Sequence, residues 1–332
     1  MRVTILSFIE REDDQRLDPV VEQVAGALRA SGHEPALLSV HGDVEKLVSG
    51  LRDSAPGLVF NLMEMFGQNL LGDVGVTGLL ELLELPYTGC GPGESYLQQD
   101  KALAKKLLAF DQIRYPDFAV FAADSTLETG GNLRLPLFVK PLRADASIGI
   151  DGGSLVHTAT DLMKRVVQIH EELHDSALAE EYIEGREFYV GVLGNQEPTP
   201  FPPIEMDFSR LDAEKPRIAD SKAKWEKGTP EYEGTRSVLA DVSPELLAKL
   251  QQAALAAYRA LRVRDYGRVD FRVTDSGEIY VIEVNASCYL ERSSEFATAA
   301  RAAGIKYNDL IERIVQLALE RHDKQLSNVT LK

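Results

Sequence analysis

The stretch from residue 267 to 285 carries acidic and basic side chains at a spacing that suits metal-dependent chemistry. Its sequence, GRVDFRVTDSGEIYVIEVN, alternates polar and apolar residues on both sides of a turn, as two paired strands do. With the turn centred between Ser276 and Gly277, Asp270 is expected to lie opposite Glu283. Carboxylates that face each other on a sheet repel, so such a pair needs a proton or a cation to share.

The same pairing places Arg268 opposite Asn285, on the face that carries the two acids. Carboxylate and amide oxygens are ligands that suit Mg²⁺ held jointly with substrate phosphates, whereas zinc favours His or Cys. The hairpin therefore predicts a magnesium site at Asp270, Glu283 and Asn285. The alternative is a solvated face on which Arg268 and Arg272 neutralise the acids.

A second signal lies where the apolar run LPLFVKP ends in Lys140 and Pro141 and is followed by the loop LRADASIGIDGG, residues 142–153. Small side chains let the backbone of a loop approach phosphates closely. A lysine beside such a loop is a candidate for holding a polyphosphate. The alternative is an ordinary surface lysine and a flexible loop, and the chain contains no Walker A motif.

Charge and composition restrict the classes of function. The chain has 332 residues, 44% of them hydrophobic, which is enough for two or three domains, and its net charge is −16. The negative electrostatic field of such a chain repels nucleic acids and anionic membranes, although a local basic patch can still hold a nucleotide. The two cysteines, Cys90 and Cys288, are too few for a disulfide scaffold or a zinc site. With no signal-peptide pattern and no apolar run of the ~20 residues that span a membrane, the expected location is the cytoplasm.

The periodicity of apolar residues predicts alternating strands and helices up to about residue 96, which is typical of a parallel α/β unit. Strands are predicted at 3–8, 36–40, 58–62, 135–140, 178–183 and 187–193, and helices from about 18, at 44–51, 98–110, 161–174, 244–261 and 307–320. The polar, proline-containing segment 198–227 is predicted to be a long loop of the kind that closes over sites.

Taken together, these features resemble the ATP-grasp superfamily, and specifically its D-alanine–D-alanine ligase branch. The ordered set is Lys101, Lys140 with its loop, EEYIEGRE at 180–187, Arg268-Val-Asp270 and Glu283-Val-Asn285. Supporting stretches are LLELLELPYTG at 79–89, DKALAKKLL at 100–108, EYIEGREFYVGVLGN at 181–195 and GRVDF at 267–271. The likeness covers most of the chain from about residue 58 to 320.

The resemblance implies an α/β chain of three domains with an α+β ATP-grasp core. These are an N-terminal α/β substrate domain, 1–96, a central ATP-grasp domain, 97–179, and a C-terminal catalytic domain, 180–332. The central and C-terminal domains are expected to carry antiparallel sheets that sandwich ATP.

The resemblance also implies roles for individual residues. Lys101 and Lys140 would contact the phosphates, and Ser147 and Gly149 would cover them. The backbone of the hinge, formed by Glu180, Glu181, Tyr182 and Ile183, would meet adenine, and Glu187 would hold the ribose hydroxyls. Lys224, with Lys222 as its rival, would reach the γ-phosphate from a mobile loop. Asp270, Glu283 and Asn285 would bind one or two Mg²⁺, with Mn²⁺ as the alternative cation, and Arg268 would stabilise the charge on the reacting carboxylate.

The expected activity is an ATP-dependent ligase that joins a carboxylate to an amine through an acyl phosphate. The catalytic residues would be Arg268, Lys224 and Ser147. Rival hypotheses are a true D-alanine–D-alanine ligase of cell-wall synthesis, a catalytically inert ATP-binding module, and a structural or partner-binding protein.

Three regions depart from the pattern of true D-alanine–D-alanine ligases. The chain reads SFIERE at 7–12, EMFG at 64–67 and SCYL at 287–290, where a Gly-rich segment, a His-Gly pair and a Pro-Gly-Met run are usual. The phosphate loop carries Ala144 and Ala146 in place of Gly and Ser. A substrate other than D-alanine alone is therefore expected.

Partners are expected to be amino acids or other small carboxylates, and a homodimer is left open. The substrate candidates are Glu10 and Glu12 for an ammonium group, with Tyr289, Arg292, Ser293 and Ser294 nearer the metal strand. The alternatives are surface charges and, at Ser293 or Ser294, a helix cap.

Overall fold

A three-stranded parallel sheet begins the chain. The computed structural model describes residues 1–11, 14, 16–69, 71–124, 127–130, 132–144, 147–212, 215–219, 222–223 and 226–330. The sheet has the order β2-β1-β3, with β1 at Arg2–Phe8, β2 at Glu34–Val40 and β3 at Leu58–Leu62. Its helices are α1 (Pro19–Ala30), α2 (Val44–Ser54) and α3 (Gly72–Leu82). The predicted parallel α/β unit is therefore present.

Two helices follow where the sequence predicts one. They are α4 (Pro92–Gln99) and α5 (Lys101–Phe110). Asp100 separates them, because its Oδ1 accepts a hydrogen bond of 2.9 Å from the backbone N–H of Leu103 and so caps α5. The buried residues of α5 include Lys101 and Lys105.

The central sheet is antiparallel and has five strands in the order β5-β4-β8-β6-β7. Its strands are β4 (Phe118–Phe121), β5 (Leu127–Gly130), β6 (Leu137–Pro141), β7 (Leu155–Val156) and β8 (Ala177–Glu181). A short 3₁₀ turn, Gly152–Ser154, precedes β7, and α6 (Ala159–Leu173) follows it. Val166 and Ile169 of α6 pack against Leu137 and Val139 of β6, so one face of this sheet is covered by a helix.

The second antiparallel sheet has six strands, in the order β12-β11-β9-β13-β14, with β10 paired to β9. These strands are β9 (Arg186–Leu193), β10 (Thr199–Pro200), β11 (Ile204–Asp207), β12 (Arg236–Leu239), β13 (Tyr266–Val273) and β14 (Ile279–Asn285). The helices of this part are α7 (Pro230–Gly234), α8 (Pro244–Ala260), α9 (Glu295–Ala302) and α10 (Tyr307–Thr330).

The alternation predicted for β13 decides which face of this sheet is apolar. Val269, Phe271 and Val273 lie in one buried cluster with Leu250 and Tyr258 of α8. The opposite face therefore carries Arg268, Asp270 and Arg272, as the pattern predicts. On the N-terminal side, Leu310 and Ile311 of α10 share a core with Val24 and Leu28 of α1, so the last helix packs against the first.

Two expectations about the organisation have different outcomes. The prediction that 198–227 is a long loop is wrong in part, because the segment contains β10 and β11, which pair with β9. The domain boundaries at 96/97 and 179/180 stay predictions. In the part of the chain that the structure describes, no helix combines the length and the apolar character that a membrane span requires.

Candidate active site

The hairpin of β13 and β14 has the predicted pairing at its polar end. Asp270 lies opposite Glu283, and Arg268 lies opposite Asn285. Asp270 also lies opposite Tyr189 of β9 on its other side. The four polar residues therefore share one face of the sheet.

The pairing changes nearer the turn, where Phe271 faces Val281 and Ile282 is left as an extra residue, a β-bulge. The predicted turn centre was wrong, because Thr274 and Glu278 close the turn through a 3.0 Å backbone hydrogen bond. The one-residue bulge compensates for the displaced turn and restores the predicted partners at the polar end.

Asp270 is held by its neighbours on the same face. Arg268 donates to it twice, from Nε to Oδ1 at 2.7 Å and from Nη2 to Oδ2 at 2.9 Å. The amide of Asn285 donates to Oδ2 at 3.1 Å, and the Arg268 guanidinium lies 4.8 Å from the ring centroid of Tyr189. Burial would lower the pKa of Arg268, but the Asp270 carboxylate outweighs it and raises that pKa well above its ordinary value.

Three lysines converge on the carboxylates of two sheets. Lys101 of α5 lies 3.4 Å from Glu283, measured from Nζ to Oε1. Lys105 of α5 and Lys140 of β6 flank Glu180 of β8, at 2.7 Å to Oε1 and 3.0 Å to Oε2 respectively. The side chains of Lys105, Lys140 and Glu180 are each at most 4% exposed, so these ion pairs lie in a low-dielectric interior.

The charges of this cluster sustain one another. Burial by itself would raise the pKa of Glu180, but the ammonium groups of Lys105 and Lys140 bring it below its ordinary value. Burial lowers the pKa of Lys105, with Lys140 adding to that effect. For Lys140, the carboxylates of Glu180 and Glu283 outweigh burial and raise the pKa. Glu180 is therefore an anion, and Lys140 is a cation, at neutral pH.

The loop after β6 contacts both this cluster and a distant segment. Lys101 donates to the carbonyl of Ala144 at 2.9 Å. Ser147 has a φ of +62°, and its hydroxyl donates to the carbonyl of Ala219 at 3.3 Å. The 215–219 segment thus touches the small-residue loop. At Gly149, which has a φ of +71°, an added Cβ would lie 2.5 Å from Leu173 Cδ1. Glycine is favoured there by the positive φ and by the close approach of the Leu173 and Pro141 side chains.

The predicted hinge follows β8 and joins it to β9. The backbone N–H of Glu181 donates to Asp117 at 2.9 Å, and that of Tyr182 donates to Pro136 at 3.1 Å. Ile183 continues the connection to β9. Glu187, on β9, lies 2.7 Å from Arg272, measured from Oε2 to Nη2. The hinge, Glu187 and the lysine cluster therefore adjoin the same two sheets.

The oxygen donors at the hairpin suit a divalent cation in chemistry. Asp270 and Glu283 are direct cross-strand neighbours, and Asn285 lies two positions further along β14 on the same face. Within the described ranges, no cluster of three or more His, Cys, Asp or Glu side chains has the arrangement of a metal site. Two carboxylates and one amide supply only part of an octahedral shell. Mg²⁺ bound here would take its remaining ligands from phosphate and water, as it commonly does.

Comparison with known proteins decides the family. Residues 104–316 match the family described as the D-ala D-ala ligase C-terminus. The uncharacterized protein y4sG of Sinorhizobium fredii is 33% identical over 91% of this chain and 88% of its own length. A D-alanine–D-alanine ligase of Carboxydothermus hydrogenoformans is 35% identical over 76% of this chain and 79% of its own length. The chain belongs to the D-alanine–D-alanine ligase family.

A solved structure of the family has the same fold. The D-alanine–D-alanine ligase from Bacillus anthracis, in complex with ATP, superposes with a TM-score of 0.74 at 23% identity, over 98% of this chain and 99% of that one. The predicted resemblance to ATP-grasp ligases and the predicted fold class are confirmed. The predicted enzyme class, an ATP-dependent ligase that forms a C–N bond, is that of the family.

Two of the candidate site residues lie outside the described residues. These are Lys224, predicted from the family pattern, and Glu12, a substrate candidate where the chain departs from that pattern. Lys222, the rival of Lys224, is described and exposed, as is Glu10 in the segment after β1. Their proposed contacts with phosphate and substrate stay predictions.

The remaining substrate candidates are engaged within the protein. Tyr289 donates from its hydroxyl to Asp18 at 2.6 Å, and the guanidinium of Arg292 lies 4.4 Å from the ring centroid of Tyr307. Ser293 bonds through both its N–H and its hydroxyl to Glu291. Ser294 is the N-cap of α9, where its hydroxyl accepts from the N–H of Ala297. The alternative interpretation of Ser294, a helix cap, is therefore the one that the structure shows.

Sequence analysis missed two residues of the site. Lys105 was not distinguished from its exposed neighbour Lys106, although its position one turn after Lys101 was a usable signal. Arg272 was considered only as a neutralising charge, whereas it binds Glu187.

Cys288, three residues after β14, is buried, and burial raises its pKa to about 12, so it is a packed side chain rather than a nucleophile.

Proposed function

We propose that the protein is an ATP-dependent ligase that joins a carboxylate to an amine through an acyl phosphate and releases ADP and phosphate. The observation that carries this proposal is the convergence of Lys101, Lys105 and Lys140 beside the paired acids Asp270 and Glu283. Buried cations next to oxygen donors form a site that suits a polyphosphate and its metal ion together.

The nucleotide would lie between the central sheet and the six-stranded sheet, in line with the proposed domains 1–96, 97–179 and 180–332. Lys101 and Lys140 would bind its phosphates, and the loop with Ser147 and Gly149 would cover them. The hinge backbone at 180–183 would meet adenine, and Glu187 would bind the ribose hydroxyls. The contact of Ser147 with Ala219 supports this, because it already brings the phosphate loop against the segment that precedes Lys222 and Lys224.

Mg²⁺ would be held by Asp270, Glu283 and the carbonyl oxygen of Asn285, and when bound it would neutralise charge on the phosphoryl oxygens. Lys101 sits beside Glu283, and it would share in that neutralisation. Arg268, which is a cation at all relevant pH values, lies at the other end of the acid pair.

The reaction needs activation because a carboxylate is a poor electrophile. Transfer of the γ-phosphoryl group of ATP to a carboxylate oxygen releases ADP and gives the acyl phosphate. The amine then attacks the acyl carbon, a proton leaves its nitrogen, and the C–O bond breaks as phosphate departs. Arg268 would stabilise the oxyanion of that step, and the loops at Ser147 and Lys224 would exclude water from the acyl phosphate.

We further propose that the substrate pair is not D-alanine alone. Tyr289 lies in the segment 287–290, where the family's Pro-Gly-Met run is replaced, and its hydroxyl donates to Asp18 within the protein. This contact supports an altered substrate pocket. The identity of 35% with a named D-alanine–D-alanine ligase favours the second candidate, a true ligase of that specificity.

The experiment that separates these candidates measures ADP release with Mg-ATP against D- and L-amino acids and dipeptides, singly and in pairs, with mass spectrometry of the products. Lys140→Ala is expected to abolish turnover, whereas Lys106→Ala, at an exposed ion pair with Glu128, is the matched control and should retain it.

Release only with another pair supports the altered pocket, and efficient synthesis of D-alanyl-D-alanine contradicts it. Binding of ATP without amine-stimulated release by any pair would indicate an inert nucleotide-binding module. A chain that binds no Mg-ATP at all would overturn the ligase proposal.

A further inference from the structure

Arg272 lies at the meeting point of three parts of the proposed nucleotide site. It is the direct cross-strand neighbour of Glu187 in the pairing of β13 with β9. Its side chain is 8% exposed, so the guanidinium must find its acceptors inside the protein. The acceptors that it finds belong to the residues around the predicted hinge and ribose contacts.

The first acceptor is the Glu187 carboxylate, at 2.7 Å from Arg272 Nη2. The hydroxyl of Tyr189 donates to the other oxygen of Glu187 at 2.5 Å. A carboxylate accepts about four hydrogen bonds, so these two donors fix the plane of the group and leave capacity for two more. The 2′- and 3′-hydroxyls of a ribose are donors of that kind.

The other acceptors lie on the two segments that flank Glu187. Arg272 Nη1 donates to the carbonyl of Gly185 in the hinge turn at 3.2 Å, and Nη2 donates to the carbonyl of Arg217 at 2.5 Å. The guanidinium also lies 5.5 Å from the ring centroid of Tyr182. One side chain thus contacts the hinge and the 215–219 segment.

The 215–219 segment continues this connection towards the phosphate side. Two residues after the carbonyl that Arg272 binds, the carbonyl of Ala219 accepts from Ser147 of the small-residue loop. A displaced Arg272 would therefore release Glu187 and the segment at the same time. Because guanidinium is planar and binds several acceptors in fixed directions, lysine cannot reproduce this arrangement.

We propose that Arg272 is a positioning residue of the nucleotide site that orients Glu187 towards the ribose hydroxyls and ties it to the 215–219 segment. This inference rests on the proposed function, since it presupposes that Glu187 faces the ribose of ATP. A purely structural role would be to neutralise the partly buried carboxylate of Glu187, and it would affect folding without affecting the choice of sugar.

The test measures the dissociation constants of Mg-ATP, 2′-deoxyATP and 3′-deoxyATP by calorimetry, which needs no amine substrate. The full chain is expected to bind ATP roughly 10- to 100-fold more tightly than either deoxy analogue, the loss that one hydrogen bond to a charged group produces. In Arg272→Met and Glu187→Gln this ratio should fall to within about threefold, and the double variant should show no further change.

Arg186→Met is the matched control, because Arg186 is a neighbour of Glu187 on β9 but forms a 44% exposed ion pair with Glu205. It should keep the full preference for ATP over the deoxy analogues. Arg272→Lys retains the charge and covers the case in which Arg272→Met does not fold. Like Arg272→Met, Arg272→Lys should bind ATP and the deoxy analogues with affinities within about threefold of each other.

The outcomes distinguish failure of this inference from failure of the proposed function. If Arg272→Lys or a folded Arg272→Met keeps the preference for ribose while Glu187→Gln loses it, Arg272 does not position Glu187. If Glu187→Gln keeps the preference as well, Glu187 does not face the ribose, and the inference is wrong although ATP binds. If the unmodified chain binds no nucleotide, the proposed function itself is wrong.

Discussion

Arg268 binds Asp270 through two parallel hydrogen bonds, 2.7 Å from Nε to Oδ1 and 2.9 Å from Nη2 to Oδ2. The two residues alternate with Val269 along β13, so the pair lies on the polar face of the sheet. A bidentate pair of this kind fixes the plane of the carboxylate. It therefore presents Asp270 to its cross-strand partner Glu283 in one orientation.

Asp270→Asn tests the role of this carboxylate. The variant keeps the shape of the side chain but removes its charge, so Arg268 loses its counter-ion and the proposed Mg²⁺ site loses a ligand. We expect kcat/KM with Mg-ATP to fall roughly 100- to 1,000-fold, the loss typical of a group that stabilises charge in a transition state. The Mg²⁺ concentration for half-maximal activity should rise.

The control for this variant is Asp275→Asn, at the exposed turn of the same hairpin. It removes the same charge at a distance from the acid pair and should change kcat/KM less than about threefold, as surface substitutions usually do. Equal effects of the two variants would show that net charge, rather than the site, explains the loss.

Glu180 predicts a specific dependence of stability on pH. Burial by itself would raise the pKa of Glu180. The ammonium groups of Lys105 and Lys140 lower it by more than burial raises it, so the pKa lies below the ordinary 4.5. A carboxyl whose pKa is lower in the folded state stabilises the protein above its unfolded pKa, and that stabilisation is lost as the pH falls through the folded value. The contribution should therefore be complete at neutral pH and decline below about pH 4.5.

Glu180→Gln isolates that contribution. Urea unfolding at pH 7 should show a loss of about 3 kcal/mol in the free energy of unfolding, because two buried ammonium groups lose their counter-ion. The difference between the two proteins should shrink as the pH is lowered below 4.5. A difference that stays constant over this range would mean that the ionised form of Glu180 does not stabilise the fold.

The two thiols should be inert in the native protein. Cys90 and Cys288 are free and buried, and burial raises the pKa of each to about 12. Because the thiolate is the reactive form, a thiol reagent at pH 8 should label neither residue in the folded chain and both in denaturant. Rapid labelling of Cys288 in the native protein would contradict its packed position after β14.

Local patterns were sufficient to predict the hairpin, whereas pairing between distant segments was not predictable. Alternation along β13 and β14 identified the polar face and the partners Asp270 and Glu283. Strand β11 was missed because the segment before it has prolines at 198, 200, 202 and 203, a composition that is typical of a loop. Its hydrogen bonds come from β9 and β12, and such long-range partners leave no local signal.

The same reasoning explains which site residues were predicted. Lys101 and Lys140 stand in recognisable motifs, but the burial of Lys105 depends on Glu180, which lies in another sheet. Ion pairs between separate elements are set by packing. Sequence periodicity did not indicate which of Lys105 and Lys106 is buried, although their side chains are 2% and 52% exposed respectively.

These adjacent lysines provide the sharpest test of the buried cluster. Lys105 lies 2.7 Å from Glu180 and donates to the carbonyl of the bulge residue Ile282 at 3.3 Å. Lys105→Met removes both contacts, so Glu180 keeps Lys140 alone and Ile282 loses its donor. We expect a loss of about 3 kcal/mol in stability and weaker binding of Mg-ATP, because the bulge precedes Glu283.

Lys106→Met makes the same chemical change one residue later, at an exposed pair with Glu128. Exposed ion pairs contribute about 0–1 kcal/mol, so its urea midpoint and its affinity for Mg-ATP should stay close to those of the unmodified chain. If the two variants were equally stable and bound nucleotide equally well, the contacts of Lys105 with Glu180 and Ile282 would contribute neither to stability nor to nucleotide binding. A loss confined to Lys105→Met would show that the charge on α5 connects Glu180 in the central sheet to the hairpin of β13 and β14.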